Sequence, residues 1–94
     1  MAKLSVRITL HKLRVLKLFL ADGGVELAGI EVVTKTGLKP GSIYPILHVL
    51  ERHGLLKGQW EKGDPVKLGR PLMRRYRITK QGQSAVERTL AELQ

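Results

Sequence analysis

Residues 41–56 constrain the fold more than any other part of the chain. Ile43, Ile46, Leu47 and Leu50 recur at helical spacing and would bury one stripe, while Ser42, Tyr44, Pro45, His48 and Arg52 lie on or beside the opposite face. With Ser42 as N-cap, Pro45 becomes the third helical residue, where the missing N–H has no intrahelical acceptor to lose. The helix would then end at Gly54, a residue able to take the left-handed conformation just past a helix terminus. A helix with one polar face that runs directly into a strand is the arrangement of a groove-reading helix followed by a wing.

The elements on either side support that arrangement. Thr9 or Ser5 can cap a first helix running to about Ala21, with Leu10, Leu13, Leu16 and Leu20 on one stripe widened by Val15, Leu18 and Phe19. Asp22-Gly23-Gly24 breaks it, and Glu26 to Thr36 reads as a second helix closed by Gly37. Beyond Gly54 the period changes. Leu55 to Trp60 is strand-like, 61–71 carries Gly and Pro breakers among charges, and Met73 to Ile78 alternates. In register, Leu56, Gly58 and Trp60 share a face with Tyr76 and Ile78, and Trp60 is expected to pack structurally. Thr79 caps a last helix with an apolar stripe of Ala85, Val86, Leu90 and Leu93. The expected fold is mainly α within the α+β class: three helices, a two-stranded basic wing and a C-terminal helix, a winged helix-turn-helix.

At 94 residues the chain is expected to be one domain, 1–94, burying somewhat over ~60% of the surface of its unfolded form. Without cysteine it has no disulfide framework or thiolate metal site, and no apolar run approaches the ~20 residues that span a bilayer. An intracellular, cytoplasmic protein without a membrane partner is expected, bacterial or phage-encoded and associated with the nucleoid. His11, His48 and His53 do not share a metal-ligand spacing, and no nucleophile motif, carboxylate pair or Gly-rich phosphate loop is present. Neither catalysis nor a cofactor is expected.

The net charge of +9 points to a polyanion, and its distribution says where. Residues 57–80 hold eight basic groups (Lys57, Lys62, Lys67, Arg70, Arg74, Arg75, Arg77 and Lys80) against Glu61 and Asp64, whereas 41–56 hold only Glu51 and Arg52. A basic hairpin beside a neutral helix suggests that the hairpin attracts phosphate while the helix supplies shape and hydrogen bonds. Tyr44 and Ser42 can donate to phosphate oxygens, and His48 either reaches a base edge or is simply solvated. Arg70 and Arg74, assigned near the hairpin tip, suit a narrow minor groove. Lys39, Pro45, Arg52, Lys67 and Arg75 complete the expected DNA-contacting set. A basic surface that only keeps the protein soluble is the plain alternative.

Specific residues also resemble a family. Thr36-Gly37-Leu38, Gly41-Ser42-Ile43-Tyr44-Pro45-Ile46-Leu47, Leu50-Glu51-Arg52-His53-Gly54-Leu55, Trp60-Glu61, Gly69-Arg70-Pro71, Arg75-Tyr76-Arg77-Ile78-Thr79 and Gly82 resemble PadR-type transcriptional regulators over about Leu10 to Val86. The resemblance implies a homodimeric repressor on double-stranded DNA, with each third helix in a major groove and Ser42, Tyr44 and Lys39 at contact positions. This chain departs from many relatives at Ala28-Gly29-Ile30, where they carry aromatic or histidine residues, and in ending at Gln94 without a long C-terminal helical domain. Dimerisation is therefore expected to use the first and last helices (79–94 for the latter), through Leu10, Leu13, Val86, Leu90 and Leu93, on a palindromic operator. A small-molecule effector is left undetermined. Two rival classes remain: a phage-type excision or architectural DNA-binding protein, and a winged-helix module that binds another protein.

Overall fold

The computed structural model describes residues 7–21 and 24–93. In chain order they form α1 (Leu10–Leu20), β1 (Leu27–Ala28), α2 (Gly29–Thr36), α3 (Pro40–Arg52), β2 (Leu56–Trp60), α4 (Pro65–Leu68), β3 (Arg74–Ile78) and α5 (Lys80–Glu92). The strands make one antiparallel sheet in the order β1-β3-β2. This is an α+β winged-helix arrangement, with β2 and β3 as the wing.

The helices begin where side chains satisfy backbone donors. Thr9 accepts the Lys12 N–H to start α1 at 3.3 Å, and Thr79 accepts the Gly82 N–H to start α5 at 3.0 Å. Ser5, the other candidate cap, and Asp22-Gly23, the expected break, lie outside the described residues. Helix α3 begins earlier than expected. Lys39 is its N-cap and Pro40 its first residue, so Pro45 sits inside the helix rather than in its first turn. Proline at the first position has the helical φ already set and no N–H to leave unpaired, so Pro40 fits the start better than Ser42. Pro45 then leaves without a partner only a carbonyl one turn back, that of Gly41, an exposed residue.

Two further departures concern short elements. Helix α2 starts at Gly29 rather than Glu26, because Leu27 and Ala28 pair with Tyr76 and Arg75 as a third strand. The Glu31 carboxylate reaches back to the Ala28 N–H at 2.8 Å and fixes that start. Within the wing, Asp64 caps the single helical turn α4, accepting the Val66 N–H at 3.0 Å, and Gly69 closes it at φ +71°.

One apolar core joins all the layers. Leu13, Val15, Leu16 and Phe19 of α1 meet Val32 of α2, Ile43, Leu47 and Leu50 of α3, Leu56, Tyr76 and Ile78 of the sheet and Ala85 and Val86 of α5. The β2–β3 register is the expected one, with Leu56 opposite Ile78, Gly58 opposite Tyr76 and Trp60 opposite Arg74. The inner face therefore follows the predicted parity for Leu56, Tyr76 and Ile78. Trp60 does not pack structurally as expected: it lies past the end of the core and is 60% exposed.

Candidate nucleic-acid interface

The outward face of α3 carries residues one helical turn apart. Tyr44, Pro45, His48 and Arg52 are exposed, Ser42 is half-buried, and Lys39 is exposed at the N-cap. The opposite stripe, Ile43, Leu47 and Leu50, is fully buried, so packing fixes which groups point away. Tyr44 leans over the start of α2. A Cβ at Gly29 would lie 2.5 Å from its ring, so this approach requires glycine. The Ala28-Gly29-Ile30 segment is thus the floor on which the Tyr44 ring rests.

The wing arginines are engaged inside the chain, which sequence reasoning missed. Arg70 makes a bidentate pair with Glu61 at 2.7 and 2.9 Å, Arg74 pairs with Glu51 of α3 at 2.5 Å, and Arg75 pairs with Glu31 of α2 at 3.2 Å. Glu61 Oε1 also accepts the Met73 N–H at 2.9 Å. The Arg70 guanidinium and that backbone N–H hold the Glu61 carboxyl at about 2, well below its ordinary 4.5. Arg70 and Arg74 are raised in turn by the hydrogen bonds to their carboxylates. Arg74 stands opposite Trp60 in the last pair of the ladder before the wing loop, and its guanidinium is 5.4 Å from the Trp60 ring centre and 5.9 Å from that of Tyr76. Gly58 makes this possible, because a Cβ there would sit 2.8 Å from both Arg74 Nε and Glu51 Oε2. Burial, and then the Glu51 charge, push the Tyr76 phenol above its ordinary value.

The three arginines are therefore struts that tie the wing to itself, to α3 and to α2. Lys57, Lys62, Lys67, Arg77 and Lys80 make no ion pair among the described residues. Of the wing groups expected to meet phosphate, Lys67 on α4 has its charge uncompensated. Lys57, Lys62 and Arg77, outside the expected set, share that property.

A cleft of about 530 Å³ separates α3 from the wing. The Ala28–Ile30 turn, Tyr44, Trp60, the Arg70–Arg74 segment and Tyr76 line it. Three of the chain's four aromatic side chains converge there, and the fourth, Phe19, is buried in the core.

The residues expected to mediate dimerisation divide in two. Leu13 and Val86 are 7% and 2% exposed inside the chain's own core, which corrects their placement on an outer surface. Helices α1 and α5 pack on one another, so a single chain buries more of both stripes than their width suggested. Leu10 and Leu93 are 73% and 65% exposed, and Leu90 is half-buried beside the core.

The family model described as "Transcriptional regulator PadR-like family" matches residues 24–88, from the turn before β1 through most of α5. The chain belongs to that family. Three solved PadR-type structures share its fold. Bacillus subtilis PadR in complex with operator DNA superposes with a TM-score of 0.74 at 18% identity, over 89% of this chain and 48% of that one. A PadR family transcriptional regulator from Eggerthella lenta DSM 2243 gives 0.73 at 20% identity, over 88% and 70%. A PadR-like regulator from Bacillus cereus strain ATCC 14579 gives 0.67 at 24% identity, over 87% and 79%. The chain spans about half the length of the Bacillus subtilis protein. Among curated proteins no match was found. The family match and the superpositions agree on a winged-helix fold, and no helix among the described residues is long and apolar enough to cross a membrane.

Proposed function

We propose that residues 1–94 act as one winged-helix domain that binds double-stranded DNA in the cytoplasm as a homodimer and represses transcription by occupying an operator. The observation that carries this reading is the pairing of surfaces: a rigidly oriented, nearly neutral polar face on α3 beside a wing with several uncompensated cations. The neutral face suits hydrogen bonding in a major groove, where each base pair presents a distinct pattern. The wing cations suit the phosphates flanking it. Ser42 and Tyr44 position the helix through phosphate, His48 reads a base edge, Pro45 packs beside the bases, and Lys39, Arg52 and Lys67 add charge. Arg70, Arg74 and Arg75 hold the wing and α2 in place. The Bacillus subtilis relative was solved on operator DNA, which favours the same use of the fold here.

Leu10, Leu90 and Leu93 favour pairing of two copies through α1 and α5. A two-fold dimer would read an inverted repeat with half-sites about 10 base pairs, or a multiple of that, apart. Selection from a random duplex pool tests the reading. An inverted repeat is expected; an asymmetric single site, or no enrichment at all, contradicts it.

A further inference from the structure

We infer that the cleft between α3 and the wing receives a deoxyribose of one DNA strand, with the Trp60 ring as its packing platform. The inference rests on the DNA-binding mode proposed above and adds a contact of different chemistry from its phosphate and base contacts.

If α3 occupies one groove and the wing the next, the strand dividing those grooves passes between them, and the cleft is the space it crosses. The cleft wall offers little to a phosphate. Its two arginines are already neutralised, Arg70 by Glu61 and Arg74 by Glu51. It does offer apolar surface: Trp60 at 60% exposure, the Tyr44 ring at 46% exposure, Ile30 and Pro71. A deoxyribose, uncharged and largely C–H on its faces, matches that lining better than the phosphates on either side of it. The site is also built rather than incidental. Arg74 braces Trp60 from within the sheet, Glu51 fixes Arg74 from α3, and Gly58 and Gly29 are the absences of side chain that let Arg74 and Tyr44 take their places.

Trp60 is the only tryptophan, so its fluorescence reports the cleft directly. The test titrates a random-sequence duplex of about 20 base pairs, roughly two helical turns, into the wild-type protein, Trp60→Phe and Trp60→Ala over a range of salt concentrations. Exposure of Trp60 makes both variants compatible with folding, which far-ultraviolet circular dichroism checks. DNA should quench the wild-type emission or shift it to the blue. Trp60→Ala should weaken binding about tenfold and Trp60→Phe about threefold, in line with the apolar area each removes. Neither should change the salt slope, because no phosphate contact is lost. Wild-type binding with unchanged emission, or Trp60→Ala binding like wild type, overturns the inference while leaving the DNA-binding reading intact. A change of slope in Trp60→Ala also overturns it, since the ring would then be positioning a cation. Absence of DNA binding by the wild-type protein at low salt removes the inference together with the reading on which it rests.

Discussion

Replacing Gly82 with Ala sets two effects of opposite sign against each other. Gly82 is in the first turn of α5, where alanine would be favoured by up to about 1 kcal/mol on helix propensity alone. It is also buried, and α5 approaches the exit of α3 so closely that an added Cβ would collide with the Leu55 carbonyl oxygen and lie 2.6 Å from Ile78 Cγ1. The Leu55 oxygen cannot swing aside. It accepts the Thr79 N–H at 3.1 Å, while the Thr79 hydroxyl donates to the Gly54 carbonyl at 2.6 Å and accepts the Gly82 N–H at 3.0 Å. Relieving the overlap means moving α5 away from Leu55 and the end of β3, at an overpacking cost of about 1 to 3 kcal/mol plus about 1 kcal/mol for each hydrogen bond lost. The net expectation is destabilisation by about 2 kcal/mol, which at a urea dependence of about 1 kcal/mol/M lowers the midpoint by about 2 M. Gly41→Ala supplies the contrast, since nothing lies within 4 Å of its added Cβ in an exposed helical position, and it should be neutral or slightly stabilising. Urea denaturation of both variants decides the matter. A Gly82→Ala midpoint equal to or above that of Gly41→Ala would refute the reasoning.

Three other outcomes follow from the ion pairs and the leucines near the end of α5. Because Glu61 titrates at about 2 rather than 4.5, its pair with Arg70 favours the folded wing fully above about 4.5 and loses that effect as pH falls through about 2. Carboxyl chemical shifts should show the low midpoint in wild type and its return toward 4.5 in Arg70→Ala. Glu51→Arg or Arg74→Glu alone should weaken DNA binding by disturbing the angle between α3 and the wing, and the double exchange should recover part of the loss; no recovery in a double-mutant cycle would exclude a direct coupling. Leu90→Glu with Leu93→Glu should give a monomer by sedimentation, and a monomeric wild type at micromolar concentration would remove the dimer from the account.

Periodicity and parity made the helices and the inner wing face legible. The buried stripe of α3 and the placement of Tyr76 and Ile78 required only spacing and alternation. The two-residue strand β1 is too short to alternate, and it exists because β3 offers it an edge. The α3 start was ambiguous in the sequence because Pro40 and Pro45 can each stand near a helix N-terminus, and only the chain path chooses between them. Charge counting found the basic wing but not the roles of its members. Glu51 lies 23 positions from Arg74 and Glu31 lies 44 from Arg75, and no local pattern announces such partners. Parity places Trp60 on the inner face with Leu56, Tyr76 and Ile78, but the core ends one pair earlier on that face, at Tyr76, so the ring emerges into solvent.

The central claim is a division of labour, in which uncompensated wing cations hold the phosphates and α3 reads the bases. Titration of a selected site and a random duplex at several salt concentrations tests it most directly, using wild type, Lys62→Ala with Lys67→Ala, and His48→Ala. The lysine pair should weaken both DNAs alike and flatten the salt dependence by about 0.9 log units per lost phosphate contact, roughly 1.8 in all. His48→Ala should keep the wild-type slope and cost about 1 to 3 kcal/mol on the selected site alone. A lysine double variant with the wild-type slope, or a His48→Ala loss equal on both DNAs, would contradict the account.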